Sequence, residues 1–334
     1  MSCLGKDLLR TMYADLDLVR KLTHGAVAVT EKDGWFLFSR FTDEQRDTYR
    51  NIPDFYRKTF ASSGIRLEFK TSSSFFAMDY HVTGASSRKF YYFDVFVNGI
   101  LVKHEGSESC EEQPDSTLQV ELPQGIKTIA VYFPCLVAVK LNRLLFDDAS
   151  VIQPLRKSGK MICFGDSITQ GYDARHSFLT YPNQLADAFD AEMINKGIGG
   201  EVFRPDLLAN ADPMQPDLLT IAYGTNDWSG NFSREELRRH TDLFCRRLVE
   251  SYPDVPVFAI LPLWRSDFGC IRNAGTFEDA GKIYRSIYEK YSIIRIIDGF
   301  SLIPHDTSLF SDGYLHPNDS GFSQMSKNLI RQIQ

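Results

Sequence analysis

Two hydrophobic periodicities divide this chain. Between residues 30 and 150, short runs rich in aromatic and β-branched residues are separated by turn residues: GWFLFSRF (34–41), GIRLEFKTS (64–72), SFFAMDYHVTG (74–84), KFYYFDVFVNGILVKH (89–104), STLQVELP (116–123) and KTIAVYFPCLVAVKL (127–141). Runs of this kind, with no long helical pattern between them, predict antiparallel strands packed as a β-sandwich. Alternation in RLEFK puts Leu67 and Phe69 on one face and Glu68 and Lys70 on the other, one buried and one wet. Asn98-Gly99 suits a type I′ hairpin turn between Val97 and Ile100.

From about residue 155 the pattern changes. KMICFG (160–165), AEMIN (191–195), DLLTIAYG (217–224), VPVFAIL (255–261) and IIRIID (293–298) are short, nearly continuous apolar runs. Segments with helical spacing alternate with them: TYPNQLADAFD (180–190), a segment after Ser233, another from Thr276 to about Tyr291, and SGFSQMSKNLIRQI (320–333). Ser233 followed by Glu236 forms a capping-box signature, which starts the second of these helices. Apolar strands alternating with helices predict a parallel sheet covered on both faces, a three-layer α/β domain. The expected division is a jelly-roll-like sandwich over residues 1–155 and an α/β domain over 156–334, with the polar, turn-prone 150–159 between them.

Composition narrows the function. Of 334 residues, 43% are hydrophobic and 24% charged, the balance of an ordinary globular protein. A net charge of −6 argues against a nucleic-acid partner. No run approaches the length of a membrane span, and the acidic residues near the start disfavour a signal peptide, so the expectation is a cytoplasmic protein without a membrane partner. Ser2 in place of glycine lacks the myristoylation pattern. The six cysteines include no C-x-x-C pair and are expected to be free, buried thiols. The seven histidines show no H-E-x-x-H or other close metal-ligand spacing, so no metal or organic cofactor is implied.

Four loops carry unusual chemistry, each following an apolar strand or preceding the last helix: GDSIT (165–169), NKGIGG (195–200), YGTNDW (223–228) and SDGYLHPND (311–319). In parallel α/β sheets, functional groups collect at the carboxyl ends of the strands. Acyl transfer needs a hydroxyl nucleophile, a base, a group that orients the base, and donors for the developing oxyanion. Ser167, His316 and Asp312 can supply the first three. The Ser167 N–H, a glycine of GIGG and the Asn226 amide can supply the donors. Each residue also has a plainer reading: Ser167 as a helix cap, the glycines as a tight turn, Asn226 as an Asx turn, His316-Pro317 as a turn before the last helix. Asp227 reads as a loop-holding residue. GIGG is not a dinucleotide loop, because residue 202 is valine, and GDSIT is not the G-x-S-x-G elbow, because residue 169 is threonine.

Taken together, the four blocks resemble the GDSL-type esterases and lipases, also called SGNH hydrolases. They occur in that family's order, and the likeness spans residues 160–334. The resemblance implies Ser167 as nucleophile, Gly200 and Asn226 as oxyanion donors, and His316 as base. One position departs from the pattern. The family's acid usually lies three residues before the histidine, where this chain has Gly313, while Asp312 lies four before it. Either Asp312 still reaches the imidazole, or a backbone carbonyl orients a Ser–His dyad. The β-rich first half resembles the N-terminal sandwich of some carbohydrate-deacetylating members.

The expected function is therefore a serine esterase acting on small acyl esters, O-acetyl groups above all, of a small-molecule or oligosaccharide substrate. An acyltransferase with the same site, and a carbohydrate-binding protein with an inert hydrolase half, are the alternatives. Trp264 and Arg265, at the carboxyl end of VPVFAIL, are candidate substrate-binding residues, with ordinary loop packing as the other reading. The aromatics Tyr80, Phe90, Tyr91, Tyr92 and Phe93 are expected to fill the sandwich core rather than form a sugar platform.

Overall fold

The computed structural model describes residues 11–111 and 114–334. Its first half contains two antiparallel sheets. In one, the strands run Ala28–Lys32, Trp35–Ser39, Val137–Asp147, Phe75–Gly84 and Ser116–Glu121, with Thr11–Tyr13 also paired to Val137–Asp147. In the other, the order is Ile152–Pro154, Arg66–Thr71, Lys127–Tyr132, Tyr91–Val97 and Ile100–Ser107, with Thr23–His24 paired to Arg66–Thr71. Alternate residues of both sheets, among them Leu67, Phe69, Phe93 and Val95 against Phe76, Met78, Leu141 and Phe146, meet in one apolar core. The hairpin closes with Val97 opposite Ile100, and Asn98 and Gly99 adopt φ of 50° and 78°, the backbone a type I′ turn requires. Tyr80, Tyr91 and Phe93 are buried in this core, whereas Phe90 and Tyr92 are half-buried beneath the Arg175 guanidinium.

The second sheet has no wet face over much of its length. Glu68, expected to face water, is buried between Arg66 (3.4 Å) and Lys157 (2.6 Å). The reason is that the second half of the molecule covers this face, with Arg66 paired to Asp187 at 2.5 Å and Phe96 and Tyr132 edged against Phe178.

That second half is a five-stranded parallel sheet. Its strands are β1 (Gly159–Gly165), β2 (Ala191–Gly197), β3 (Leu218–Ala222), β4 (Val257–Ile260) and β5 (Ile294–Ile297), in the order β2-β1-β3-β4-β5. The helices are α1 (Ser167–Gln170), α2 (Tyr181–Ala188), α3 (Thr225–Ser229), α4 (Arg234–Ser251), α5 (Phe277–Tyr288) and α6 (Asp319–Ile333). Successive β1 residues alternate between two cores. Ile162 and Phe164 pack with α4 and α5, and Met161 and Cys163 with α2 and α6. α4 starts with the expected reciprocal Ser233–Glu236 cap. α5 ends at Tyr288 rather than near Tyr291, because the next residues tighten into turns, Lys290 N–H to Ile287 O (3.1 Å) and Tyr291 N–H to Tyr288 O (3.0 Å).

The two halves are not separated by a plain linker. Ile152–Pro154 is a strand of the second sheet, and Phe41 and Tyr49 from the first half belong to the core of α4 and α5. Among the described cysteines, Cys110, Cys135, Cys163 and Cys245 are buried and free as expected. Cys270 departs from that expectation, because it sits exposed on the long loop after β4; Cys3 lies outside the described residues. No helix among the described residues is long and apolar enough to cross a membrane.

Candidate active site

The strand order reverses direction beside β1, and a crevice at the carboxyl ends of β1 and β3 follows from that topology. Ser167 is the first residue of α1, directly after β1. It does not cap the helix. That role falls to Asp166, whose Oδ1 accepts the N–H of Ile168 at 3.0 Å. The Ser167 hydroxyl is left for another partner, and its Oγ lies 3.0 Å from Nε2 of His316.

His316 comes from the loop before α6, and its ring stacks on Tyr172 at a centroid distance of 5.5 Å. Its Nδ1 lies 2.8 Å from Oδ2 of Asp312. The four-residue spacing works because the chain wraps around the carboxylate. Oδ1 of Asp312 accepts the N–H groups of Tyr314 (2.9 Å), Leu315 (2.7 Å) and His316 (3.2 Å). Gly313, at φ 67°, makes the left-handed turn that permits this, a conformation with little cost only for glycine. Partial burial pushes the Asp312 carboxyl up, but the hydrogen bonds from His316 and the backbone outweigh it and hold the group well below the ordinary carboxylate range.

A second carboxylate, missed in the sequence, faces the same ring nitrogen. Oδ2 of Asp173 lies 3.8 Å from His316 Nδ1 and accepts from Arg88 Nη2 (3.2 Å) and Ser311 Oγ (2.6 Å). Burial raises Asp173, but Arg88 and Ser311 prevail, so its carboxyl is also lowered. Arg88 belongs to the sandwich half, 85 residues away, so no local motif could have announced the contact.

The glycine and asparagine loops follow the two strands that flank β1, with Gly197 and Ala222 both paired to Gly165. Nδ2 of Asn226 donates to the carbonyl of Glu201 at 2.9 Å, leaving its second N–H unspent. Gly200 has φ 86° and an N–H with no protein acceptor among the described residues, whereas the Gly199 N–H is spent on Gln170 Oε1 at 2.6 Å. The ring of Phe55, from the first half, would lie 3.5 Å from a Cβ at position 200. The first half also fixes this loop from behind. Lys58 Nζ donates to Gly199 O (2.8 Å), and the buried Arg40 donates to Asn195 O (2.5 Å) and Gly197 O (3.1 Å). Beneath the same loop, Lys196 is buried against Asp212 at 2.5 Å, and burial lowers its amine to about 8.

Asp227 does hold a loop, accepting the Phe203 N–H at 3.3 Å, while its Oδ2 is buried without a partner. Burial pushes both Asp227 and Asp166 up to about 7.

Trp264 and Arg265 are not brought to the crevice. Trp264 is buried and stacked on His305 at 5.2 Å. Arg265 is fully buried, and all five of its N–H groups are spent on Asp267, Thr225, Ser229 and Tyr314. The expectation of substrate contact therefore gives way to packing. Arg265 ties the asparagine loop to the histidine loop from inside, a role its position after a strand could not distinguish from an outward one.

No curated protein matches the chain in sequence. Among solved structures, the salicylyl-acyltransferase SsfX3 from a tetracycline biosynthetic pathway superposes with a TM-score of 0.82 at 20% identity, over 93% of each chain. A family two carbohydrate esterase from Clostridium thermocellum, in complex with cellohexaose, gives 0.64 at 17%, over 82% of this chain and 92% of that one. An acetyl xylan esterase from the rumen bacterium Butyrivibrio proteoclasticus gives 0.64 at 14%, over 97% and 98%. At these identities the likeness is one of fold, and it includes the sandwich. Residues 163–323, which hold all four loops, match the model of the GDSL-like lipase/acylhydrolase family. Over that stretch, just under half of its length, the chain is similar to the GDSL-like lipase/acylhydrolase family.

Proposed function

We propose that the protein is a serine esterase that removes small acyl groups, acetyl above all, from hydroxyls of a carbohydrate. The observation that carries this reading is the unbroken hydrogen-bonded line from Ser167 through His316 to Asp312, with contacts of 3.0 and 2.8 Å. Ser167 Oγ attacks the ester carbonyl while His316 Nε2 takes its proton. Asp312 fixes the ring so that Nε2 faces the serine, and stabilises the imidazolium that forms. The oxyanion is met by the N–H groups of Ser167 and Gly200 and by the free N–H of Asn226, each such donor being worth about 3–4 kcal/mol in other enzymes. Collapse expels the sugar hydroxyl, protonated by His316, and leaves an acyl-Ser167 ester. Water, activated by the same imidazole, then releases the acid.

Two observations support a small acyl group. Phe55 stands next to Gly200, and Tyr172 is stacked on His316, so two residues of the proposed site each carry an aromatic neighbour that limits the room beside them. The carbohydrate rests on the fold shared with the carbohydrate esterase and the acetyl xylan esterase. Ser167→Ala is expected to abolish turnover of p-nitrophenyl acetate and of acetylated xylo-oligosaccharides while leaving the melting curve unchanged. Undiminished turnover in that variant overturns the proposal.

The fold shared with an acyltransferase supports a second reading, in which an alcohol rather than water accepts the acyl group. Product analysis with excess oligosaccharide separates the two: ester product favours transfer, and free acid alone favours hydrolysis. An inert hydrolase half is disfavoured by the intact alignment of Ser167, His316 and Asp312.

A further inference from the structure

Away from the triad, three side chains from distant segments converge between the two halves. Asp94 points outward from strand Tyr91–Val97, whose alternate residues Phe93 and Val95 fill the sandwich core. His104 lies opposite it on strand Ile100–Ser107. His176 comes from the second half, in the segment joining α1 to α2. Nδ1 of His104 is 2.8 Å, and Nδ1 of His176 2.7 Å, from the same oxygen of Asp94, Oδ1. The three ligand atoms lie within 4.8 Å of one another.

Asp94 is completely buried, and its other oxygen, Oδ2, has no hydrogen-bond partner. A carboxylate that served only as an acceptor gains by sharing its donors between both oxygens, because each buried oxygen left without a partner carries a desolvation cost. Here one oxygen faces two imidazoles and the other faces none. The two rings are tilted by 37° at 4.0 Å, converging on the carboxylate rather than stacking flat.

We propose that Asp94, His104 and His176 form a binding site for a divalent transition-metal ion, of which Zn²⁺ fits the donors best. Two imidazole nitrogens and one carboxylate oxygen are the borderline donor set that zinc favours, and three protein ligands leave a position open. The two histidine side chains are 29% and 28% exposed, so the cluster is not sealed from solvent on their side. Binding requires each Nδ1 to present a lone pair, so the ring proton resides on Nε2 and any proton held on Nδ1 leaves as the ion enters. The surroundings orient the third ligand. Asp319, three residues after His316, accepts the N–H of His176 at 3.2 Å and that of Arg175 at 2.9 Å. The ion would therefore tie the sandwich to the segments carrying Ser167 and His316. Sequence spacing could not reveal such a site, since its ligands stand at positions 94, 104 and 176.

The test is calorimetric titration of untagged, chelator-stripped protein with ZnSO₄. The site predicts one saturable ion per chain, weakened by more than about a hundredfold in His104→Ala and in His176→Ala, and unchanged in His316→Ala, the histidine of the other carboxylate cluster. Co²⁺ in place of zinc should give visible d–d absorption from a nitrogen-ligated, low-coordinate ion, and this reading on the wild-type protein stands even where a variant folds poorly. Absence of saturable binding, binding that persists in both His104→Ala and His176→Ala, or binding lost in His316→Ala overturns the site.

Discussion

At the scale of single residues, the account turns on Asp312 and the glycine beside it. Asp312→Asn keeps the shape but removes the charge that holds the imidazole in register. It should lower kcat by roughly 10³–10⁴ while leaving KM within a few-fold, as measured by steady-state kinetics. Gly313→Ala forces a Cβ into φ 67°, with open space around it, so the expected loss is conformational, about 1–2 kcal/mol by denaturant titration. A third prediction concerns pH. Folded Asp227 keeps its proton up to about 7, against an ordinary aspartate value of 3.8. Between these values the folded state binds more protons than the unfolded one, so this group makes stability fall as pH rises through that window. Asp166 acts in the same direction. Asp227→Asn should therefore remove about half of this pair's contribution to the decline, read as melting temperature against pH. The meeting of Ser167 and His316 was legible because their chemistry is rare in that combination of motifs. The reach of Asp312 was not, because it depends on the left-handed turn at Gly313. Asp173 was invisible for want of Arg88, and Arg265 was misplaced because a strand end does not say which way its side chain turns.

At the scale of elements, the glycine loop is held by the other half of the molecule. Arg40 is fully buried and donates to the carbonyls of Lys58, Ala61, Asn195 and Gly197. Burial lowers its guanidinium to about 9, and the carbonyls gathered around it compensate by hydrogen bonding. Arg40→Leu strands those carbonyls in a dry site. It should cost about 3 kcal/mol or more in urea titration, and should lower kcat because Gly200 is no longer held. The strands and helices themselves were readable, since period-2 and helical patterns are set by burial on one face. Glu68 misled for the same reason. Alternation reports a polar face, not whether a second layer and an ion-pair network cover it.

At the scale of the whole molecule, the halves work as one body. Phe41 and Tyr49 complete the core beneath α4 and α5, and Arg66, Lys58 and Arg88 cross from one half to the other. A chain cut to residues 156–334 is expected to lose cooperative unfolding and esterase turnover together, whereas the intact chain melts in one transition. Two independent transitions in the full-length protein would show that the halves stand alone. The central claim, an acyl group carried on Ser167, is tested most directly by mass spectrometry of protein treated with a fluorophosphonate. One phosphonyl adduct per chain, mapped to the peptide containing Ser167 and greatly slowed in His316→Ala, is the expected result. An unlabelled folded protein, or an adduct on another residue, would contradict it.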